Sequence, residues 1–227
     1  LLGNSEAFIG AMKTHMRALH MSALQTAMNE LSNHDHSRFL TRTNHKVGRI
    51  SYAGAEAASE GVNPAVMREA VAIQMTWPGA PTVYYGDEAG LCGFTDPDNR
   101  RTYPWGREDY QMIDFHRVMI RIHKNYEVLK TGSLGFLWND YQGLCYARFS
   151  RKEQMIVIIN NQAESRDVEI RLWQAGISRL ADTKLKRIVV TSAEGFTEEP
   201  EEYTATAGIL KIAMPAFGTM VLHHKNQ

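Results

Sequence analysis

Asn33, His34 and Asp35 occupy consecutive positions inside the stretch Leu31–Arg42, which reads Leu-Ser-Asn-His-Asp-His-Ser-Arg-Phe-Leu-Thr-Arg. An amide, an imidazole and a carboxylate side by side can donate, accept and carry charge at one spot. A short apolar entry, a polar triplet and a turn form the pattern expected at the C-terminal end of a buried parallel strand. In α/β barrels that end carries the chemistry. His34 and His36 would share one face of such a strand, but no third or fourth ligand has matching placement, so no metal site is expected. His45 reads as a loop residue. Taken alone, Asp35 also reads as a loop aspartate that caps a turn, and His34 as a satisfied imidazole at a strand end.

Two further blocks follow in order. The first is Trp77-Pro-Gly-Ala-Pro-Thr-Val-Tyr-Tyr-Gly-Asp-Glu88, and the second is Asp96-Pro-Asp-Asn-Arg-Arg-Thr-Tyr-Pro-Trp105. Asp87 and Glu88 are adjacent and on a strand would point to opposite sides, which makes them a poor acid–base pair. Glu88 is expected to make structural hydrogen bonds.

Together the three blocks resemble the α-amylase family of glycoside hydrolases (family thirteen). The long form Asn-His-Asp-His-Ser-Arg-Phe-Leu-Thr-Arg is most similar to the branch holding cyclomaltodextrinases, neopullulanases and maltogenic amylases. The resemblance covers the whole chain but only the C-terminal part of the family's architecture. It implies that Asp35 matches the carboxylate that holds the 2- and 3-hydroxyls of the sugar being cleaved and stabilises the transition state. His34 matches the histidine that shares those hydroxyls. A charged acceptor facing developing charge can contribute roughly 3–4 kcal/mol. Asp96 and Arg100 match the pair that holds sugars farther out on the non-reducing side; their alternative is a mutual ion pair that orders the loop. Tyr103 and Trp105 fit sugar stacking and loop packing equally. Retaining hydrolysis needs a nucleophile and an acid about 5–5.5 Å apart. The family carries both on earlier strands, and no segment here resembles their motifs.

The elements that must position these residues follow from periodicity. Residues 5–20 read as an amphipathic helix capped by Ser5, with Phe8, Ile9, Met12, Met16 and Leu19 at helical spacing. Met21–Glu30 continues as a second helix and a short strand follows at about residues 30–34. Thr41–Gly61 reads as a polar loop. Asn63-Pro64 starts a helix that runs to about Thr76. Thr82–Tyr85 reads as a buried strand, Gly86–Glu108 as a long loop, and Tyr110–Leu129 as a helix. Strand, helix, strand, helix is a parallel β/α signal. A complete eight-stranded barrel needs about 250 residues, so residues 1–130 are expected to form the last strands and helices of a (β/α)8 barrel. From residue 131 to 227 the texture changes to short strands: Leu134–Trp138, Leu144–Phe149, Met155–Asn160, Val168–Leu172, Arg187–Thr191, Ile209–Ala213 and Thr219–His223. These predict an antiparallel β-sandwich. The acidic stretch Glu194–Glu202 reads as a solvated loop.

Composition narrows the partners. Lys plus Arg equals 25 and Asp plus Glu equals 25, so neither nucleic acid nor an anionic membrane is expected as partner. No run of roughly 18 apolar residues exists, and no signal peptide is visible. Cys92 and Cys145 have no metal spacing and are expected to be reduced and structural; the methionines are expected to fill the core. The expected location is cytoplasmic. The expected partners are an α-glucan or maltooligosaccharide and the upstream part of the same protein, since the chain begins at Leu1 in helical pattern. No cofactor is expected in this segment; calcium sites of such enzymes lie on upstream loops. The resemblance thus implies a C-terminal piece of a retaining glycosidase that acts on α-1,4 or α-1,6 glucosidic bonds in maltooligosaccharides, cyclodextrins or pullulan. Alone it would lack the nucleophile and the acid. The alternative reading is a non-catalytic carbohydrate-binding or scaffold relative on the same fold.

Overall fold

The computed structural model describes residues 4–226. Helix α1 spans Ser5–Arg17, and Asn4 rather than Ser5 is its cap: the Asn4 side chain accepts from the Ala7 amide at 3.0 Å. Ser5 is buried, its hydroxyl donating to the Asp140 carbonyl and its amide to the Tyr141 carbonyl. The start of α1 is therefore pinned to a turn far along the chain. Ile9 is buried with Phe8, Met12 and Met16 packed beside it, the apolar stripe that the spacing predicts.

Helix α2 stops early, at Met21–Thr26. Ala27 turns extended and leads into β1 (Met28–Asn29), which pairs in parallel with β2 (Ala80–Pro81). The two expected strands, at 30–34 and 82–85, are thus displaced toward the N-terminus and shortened. The cause is a side chain. Gln74 donates to the Asn29 carbonyl at 3.1 Å, which the Thr82 amide already reaches at 2.9 Å, and to the Thr82 carbonyl at 2.8 Å, where the ladder stops. Gly79 permits the close approach, since a Cβ there would sit 2.6 Å from the Asn29 side chain.

The expected polar loop 41–61 contains two short helices, α3 (Phe39–Arg42, which begins just before it) and α4 (Ile50–Ala53), with a 3₁₀ turn at Glu56–Ala58. Helix α5 runs Pro64–Thr76 as predicted, with the Asn63 carboxamide oxygen accepting from the amides of Ala65 and Val66. Helix α6 spans Tyr110–Asn125 and is capped by Asp109. The chain then breaks at Tyr126, whose extended backbone ends α6 and begins α7 (Glu127–Thr131). The break answers to tertiary contacts. The Tyr126 ring packs on His223 with centroids 4.7 Å apart, and the Glu153 carboxylate accepts from the Val128 amide at 2.9 Å. A carboxylate on the first turn of a helix suits the macrodipole.

The rest is antiparallel sheet. Its strands are β3 (Ser133–Asn139), β4 (Gly143–Phe149), β5 (Glu153–Asn160), β6 (Arg166–Arg171), β7 (Thr183–Thr191), β8 (Phe196–Thr197), β9 (Glu202–Ala205), β10 (Ile209–Met214) and β11 (Gly218–Lys225). The large sheet has the order β3-β4-β5-β11-β7-β8, with β9 also on β7, while β10 and β6 form a separate pair. All seven expected strands are present; β8 and β9 are added. The acidic stretch is less free than expected, because Arg121 pairs with Glu198, Arg187 pairs with Glu201, and Phe196 packs on Phe115 at 5.1 Å.

The large sheet is buried on both faces, which explains near-continuous apolar runs such as Met155-Ile-Val-Ile-Ile159. Leu144, Tyr146, Met155, Val157, Ile159 and Val221 turn toward α5, α6 and α7. Cys145, Ala147, Ile156, Ile158, Met220 and Leu222 turn toward β6 and β10. Each Val, Leu, Ile or Met among them contributes roughly 1.5–3 kcal/mol by leaving water. Trp77, at the end of α5, joins the helices to the sheet through Phe8, Phe136 and Tyr146 at centroid distances of 5.5, 5.8 and 5.1 Å. Both cysteines are free and buried. Most methionines lie in the core, but Met21 and Met28 are exposed.

Candidate functional site

The loop after β1 is shaped by Asn33. Its side-chain oxygen accepts from the amides of Asp35 at 2.9 Å and His36 at 3.1 Å, and its Nδ2 donates to Glu30 at 2.7 Å. This turn points the next two side chains outward. His34 and Asp35 are 62% and 67% exposed, with 3.5 Å between Nε2 and Oδ1. The turn-capping work belongs to Asn33, and the Asp35 carboxylate is left facing solvent.

The loop after β2 carries the second pair. Asp96 and Arg100 form an ion pair across the 3₁₀ turn Asp98–Arg100, each half exposed. The Asp96 hydrogen bond holds the Arg100 guanidinium above its ordinary pKa, with Tyr84 and Asp35 adding their charge. The four residues singled out by sequence fall on two neighbouring loops, which the Asn99 side chain joins by donating to the Asn33 and His36 carbonyls. None of the four lines the concave regions of about 570 and 540 Å³, and each is at least half exposed.

Beneath that surface lies a buried network that the sequence reading missed. Arg38 is fully buried. Its Nε donates to the Asn99 carbonyl at 3.0 Å, and its Nη1 donates to the Tyr85 carbonyl at 2.8 Å and to Asp87 at 2.9 Å. The rings of Tyr84 and Tyr85 lie 4.5 and 4.9 Å from the guanidinium. Asp87 and Glu88 sit in a 3₁₀ turn and not on a strand, because left-handed Gly86 and Gly90 bracket them. Burial pushes the Asp87 carboxyl up to about 6, against the opposing pull of the Ser32 hydroxyl and Arg38. Asp98 accepts from the Phe94 amide at 2.8 Å and from the Arg101 fork at 2.9 Å on both oxygens. Glu88 lies beside Tyr103, whose hydroxyl is held above its ordinary pKa by burial and by the charges of Glu88 and Glu108. Tyr103 packs on Trp105 with centroids 4.5 Å apart, while Trp105 stays 79% exposed.

Chemically, the surface offers the solvent-facing Asp35 carboxylate, the His34 imidazole beside it and the ion-paired Asp96–Arg100 clamp. Such groups hold vicinal hydroxyls and face positive charge. Among the described residues no group of three or more His, Cys, Asp or Glu could hold a metal ion. No described helix is long and apolar enough to cross a membrane.

Comparison with known proteins agrees in kind. Residues 4–175 match the family described as the α-amylase catalytic domain. Neopullulanase 2 of Thermoactinomyces vulgaris is 33% identical over 158 residues, covering 68% of this chain and 24% of that protein. The cyclomaltodextrinase of Thermoanaerobacter pseudethanolicus is 29% identical over 186 residues, 81% of this chain and 29% of that protein. Amylopullulanase of Thermoanaerobacter thermohydrosulfuricus is 32% identical over 163 residues, 64% of this chain and 10% of that protein. The chain thus spans less than a third of these relatives. Among solved structures, the acarbose-soaked debranching enzyme of Nostoc punctiforme superposes with a TM-score of 0.69 at 22% identity, over 96% of this chain and 38% of that one. A cyclomaltodextrinase gives 0.66 at 22% identity, over 92% and 31%. The fold is α-amylase-like, and the chain belongs to the α-amylase family of glycoside hydrolases.

Proposed function

We propose that this chain is the C-terminal part of a retaining glycosidase that cleaves α-1,4 or α-1,6 bonds in maltooligosaccharides, cyclodextrins or pullulan. Residues 1–130 supply the last strands and helices of a (β/α)8 barrel, and residues 131–227 supply a β-sandwich that covers its flank. The observation that carries this reading is the joint presentation of Asp35 and Arg100 on adjacent loops, each following one strand of a parallel pair. That is the end of a parallel β/α unit where barrels place chemistry. Asp35 then holds the reacting sugar's hydroxyls and stabilises the oxocarbenium ion, His34 shares those hydroxyls, and Asp96 and Arg100 grip a sugar farther out. The nucleophile and the acid come from upstream strands of the same protein. The names of the relatives, neopullulanase and cyclomaltodextrinase, point to α-glucans as substrates.

In the full-length protein, Asp35→Asn is expected to lower kcat on maltooligosaccharides by about 100-fold or more. Near-normal turnover would sink the assignment. Denaturing mass spectrometry of purified material gives a separate check, since it shows whether these residues travel within or beside a larger polypeptide.

A further inference from the structure

We infer that Asn99 is the positioning residue that sets the loop of Asp35 in register with the loop of Asp96 and Arg100. It touches no solvent, being 0% exposed, and it sits between the two halves of the candidate clamp. Its Nδ2 donates to two carbonyls of the other loop, Asn33 at 3.2 Å and His36 at 2.8 Å. Those carbonyls flank Asp35 on both sides. The contact is reciprocal, because Arg38, at the far end of the Asp35 loop, returns a hydrogen bond to the Asn99 carbonyl at 3.0 Å. Arg38 also donates its own amide to Gly93 at 2.9 Å. Gly93 in turn makes room for this turn, since a Cβ there would lie 2.5 Å from the Asp98 carbonyl and 2.9 Å from the Asn99 Cα. The orientation of the carboxamide is fixed by chemistry: two carbonyls face it, and only its NH₂ can satisfy them.

No other residue type of this size does the same work. Aspartate has the shape but offers acceptors to acceptors. Alanine leaves two carbonyls unpartnered. A shift of the Asp35 loop relative to Arg100 would misplace sugar ligands that must meet one substrate, and misplacement by about 1 Å costs heavily in such sites. The positioning role rests on the functional reading above only for its purpose; the latch itself is geometric.

The experiment is amide hydrogen exchange on the full chain, comparing Asn99→Ala and Asn99→Asp with the unaltered protein. The amides of Asp35 and His36 are expected to exchange about tenfold faster or more in both variants, while amides in β5 and β11 keep their protection. Unchanged exchange at Asp35 and His36 would overturn the proposal. So would loss of protection everywhere in both variants, for Asn99 would then serve the fold as a whole. Maltotriose titration of the same samples adds Asp35→Asn. If Asp35→Asn leaves maltotriose affinity unchanged, the functional reading falls, and the exchange data still judge Asn99. If Asp35→Asn weakens binding while Asn99→Ala does not, the positioning role falls and the functional reading stands.

Discussion

The sheet region, residues 133–225, and the pair of loops that carries the candidate site, residues 30–42 and 82–109, each bury an arginine, and they satisfy it differently. Arg148, on β4, donates to three carbonyls: Thr76 at 2.9 Å, Leu129 at 2.8 Å and Gly132 at 2.9 Å. These lie at the C-terminal ends of α5 and α7, where carbonyls lack helical partners and the macrodipole is negative. Burial lowers the Arg148 pKa to about 10, and among the described residues its hydrogen bonds all go to carbonyls. Arg38, by contrast, faces a full carboxylate, Asp87, together with two loop carbonyls. One arginine completes regular elements that would form without it. The other substitutes for regular structure that is absent. A site built on loops needs its polar groups counted one by one, whereas a sheet needs only its pattern.

The largest effect is expected from Arg148→Met, which keeps the volume and removes the donors. Three buried carbonyls at about 1 kcal/mol each predict a loss of about 3 kcal/mol in urea unfolding. The recovered cost of burying a charge offsets part of this. A loss below about 1 kcal/mol would break the contrast, since Arg148 would then cost nearly as much as it contributes.

Asp87→Asn sharpens the other side. The folded carboxyl titrates near 6 against an ordinary 3.8. The folded state therefore binds this proton more tightly than the unfolded state does. Its contribution to stability is complete below about pH 4 and is lost as pH rises through about 6, a fall of about 2–3 kcal/mol. Asp87→Asn cannot make that transition. The variant is expected to match the unaltered protein near pH 4 and to exceed it by about 2 kcal/mol at pH 7, read from urea midpoints at the two values. A variant less stable at pH 7 than at pH 4, relative to the parent, would mean that the attraction of Arg38 outweighs burial. With the expected gain in the variant, the carboxylate of the parent stands as a device for holding the Tyr85–Asp87 turn against the Asp35 loop, at the expense of stability.

The same contrast explains what could be read from the chain. The seven sheet strands and helix α5 were legible because apolar residues recur at period 2 or 3.6, and because Asn63-Pro64 announces a helix start. The chemistry-bearing residues His34, Asp35, Asp96 and Arg100 were legible as motif. The break at Tyr126 was not, because its causes, His223 and Glu153, lie far along the chain. The shift of β1 and β2 was hidden for the same reason, since Gln74 looks like any helical glutamine until its amide is seen bridging Asn29 and Thr82. Asn99 had a visible neighbourhood, the Asp-Asn-Arg-Arg run, but a hydrogen bond from a side chain to a distant carbonyl leaves no periodic trace.

The smallest effect belongs to Arg100, and it tests whether the exposed clamp is separable from the network beneath it. Arg100 and Asp96 are each 50% exposed, so solvent screens the pair. Exposed pairs contribute about 0–1 kcal/mol. Arg100→Ala is expected to leave stability essentially unchanged, since the neighbouring Arg101 and not Arg100 forks onto buried Asp98. A thermal melt with unchanged midpoint, combined with weakened maltotriose binding, would assign Arg100 to the ligand alone. A fall in the midpoint as large as that from Asn99→Ala would instead make Arg100 part of the latch. The surface and the network would then be one unit, and the separation between what grips and what positions would fail.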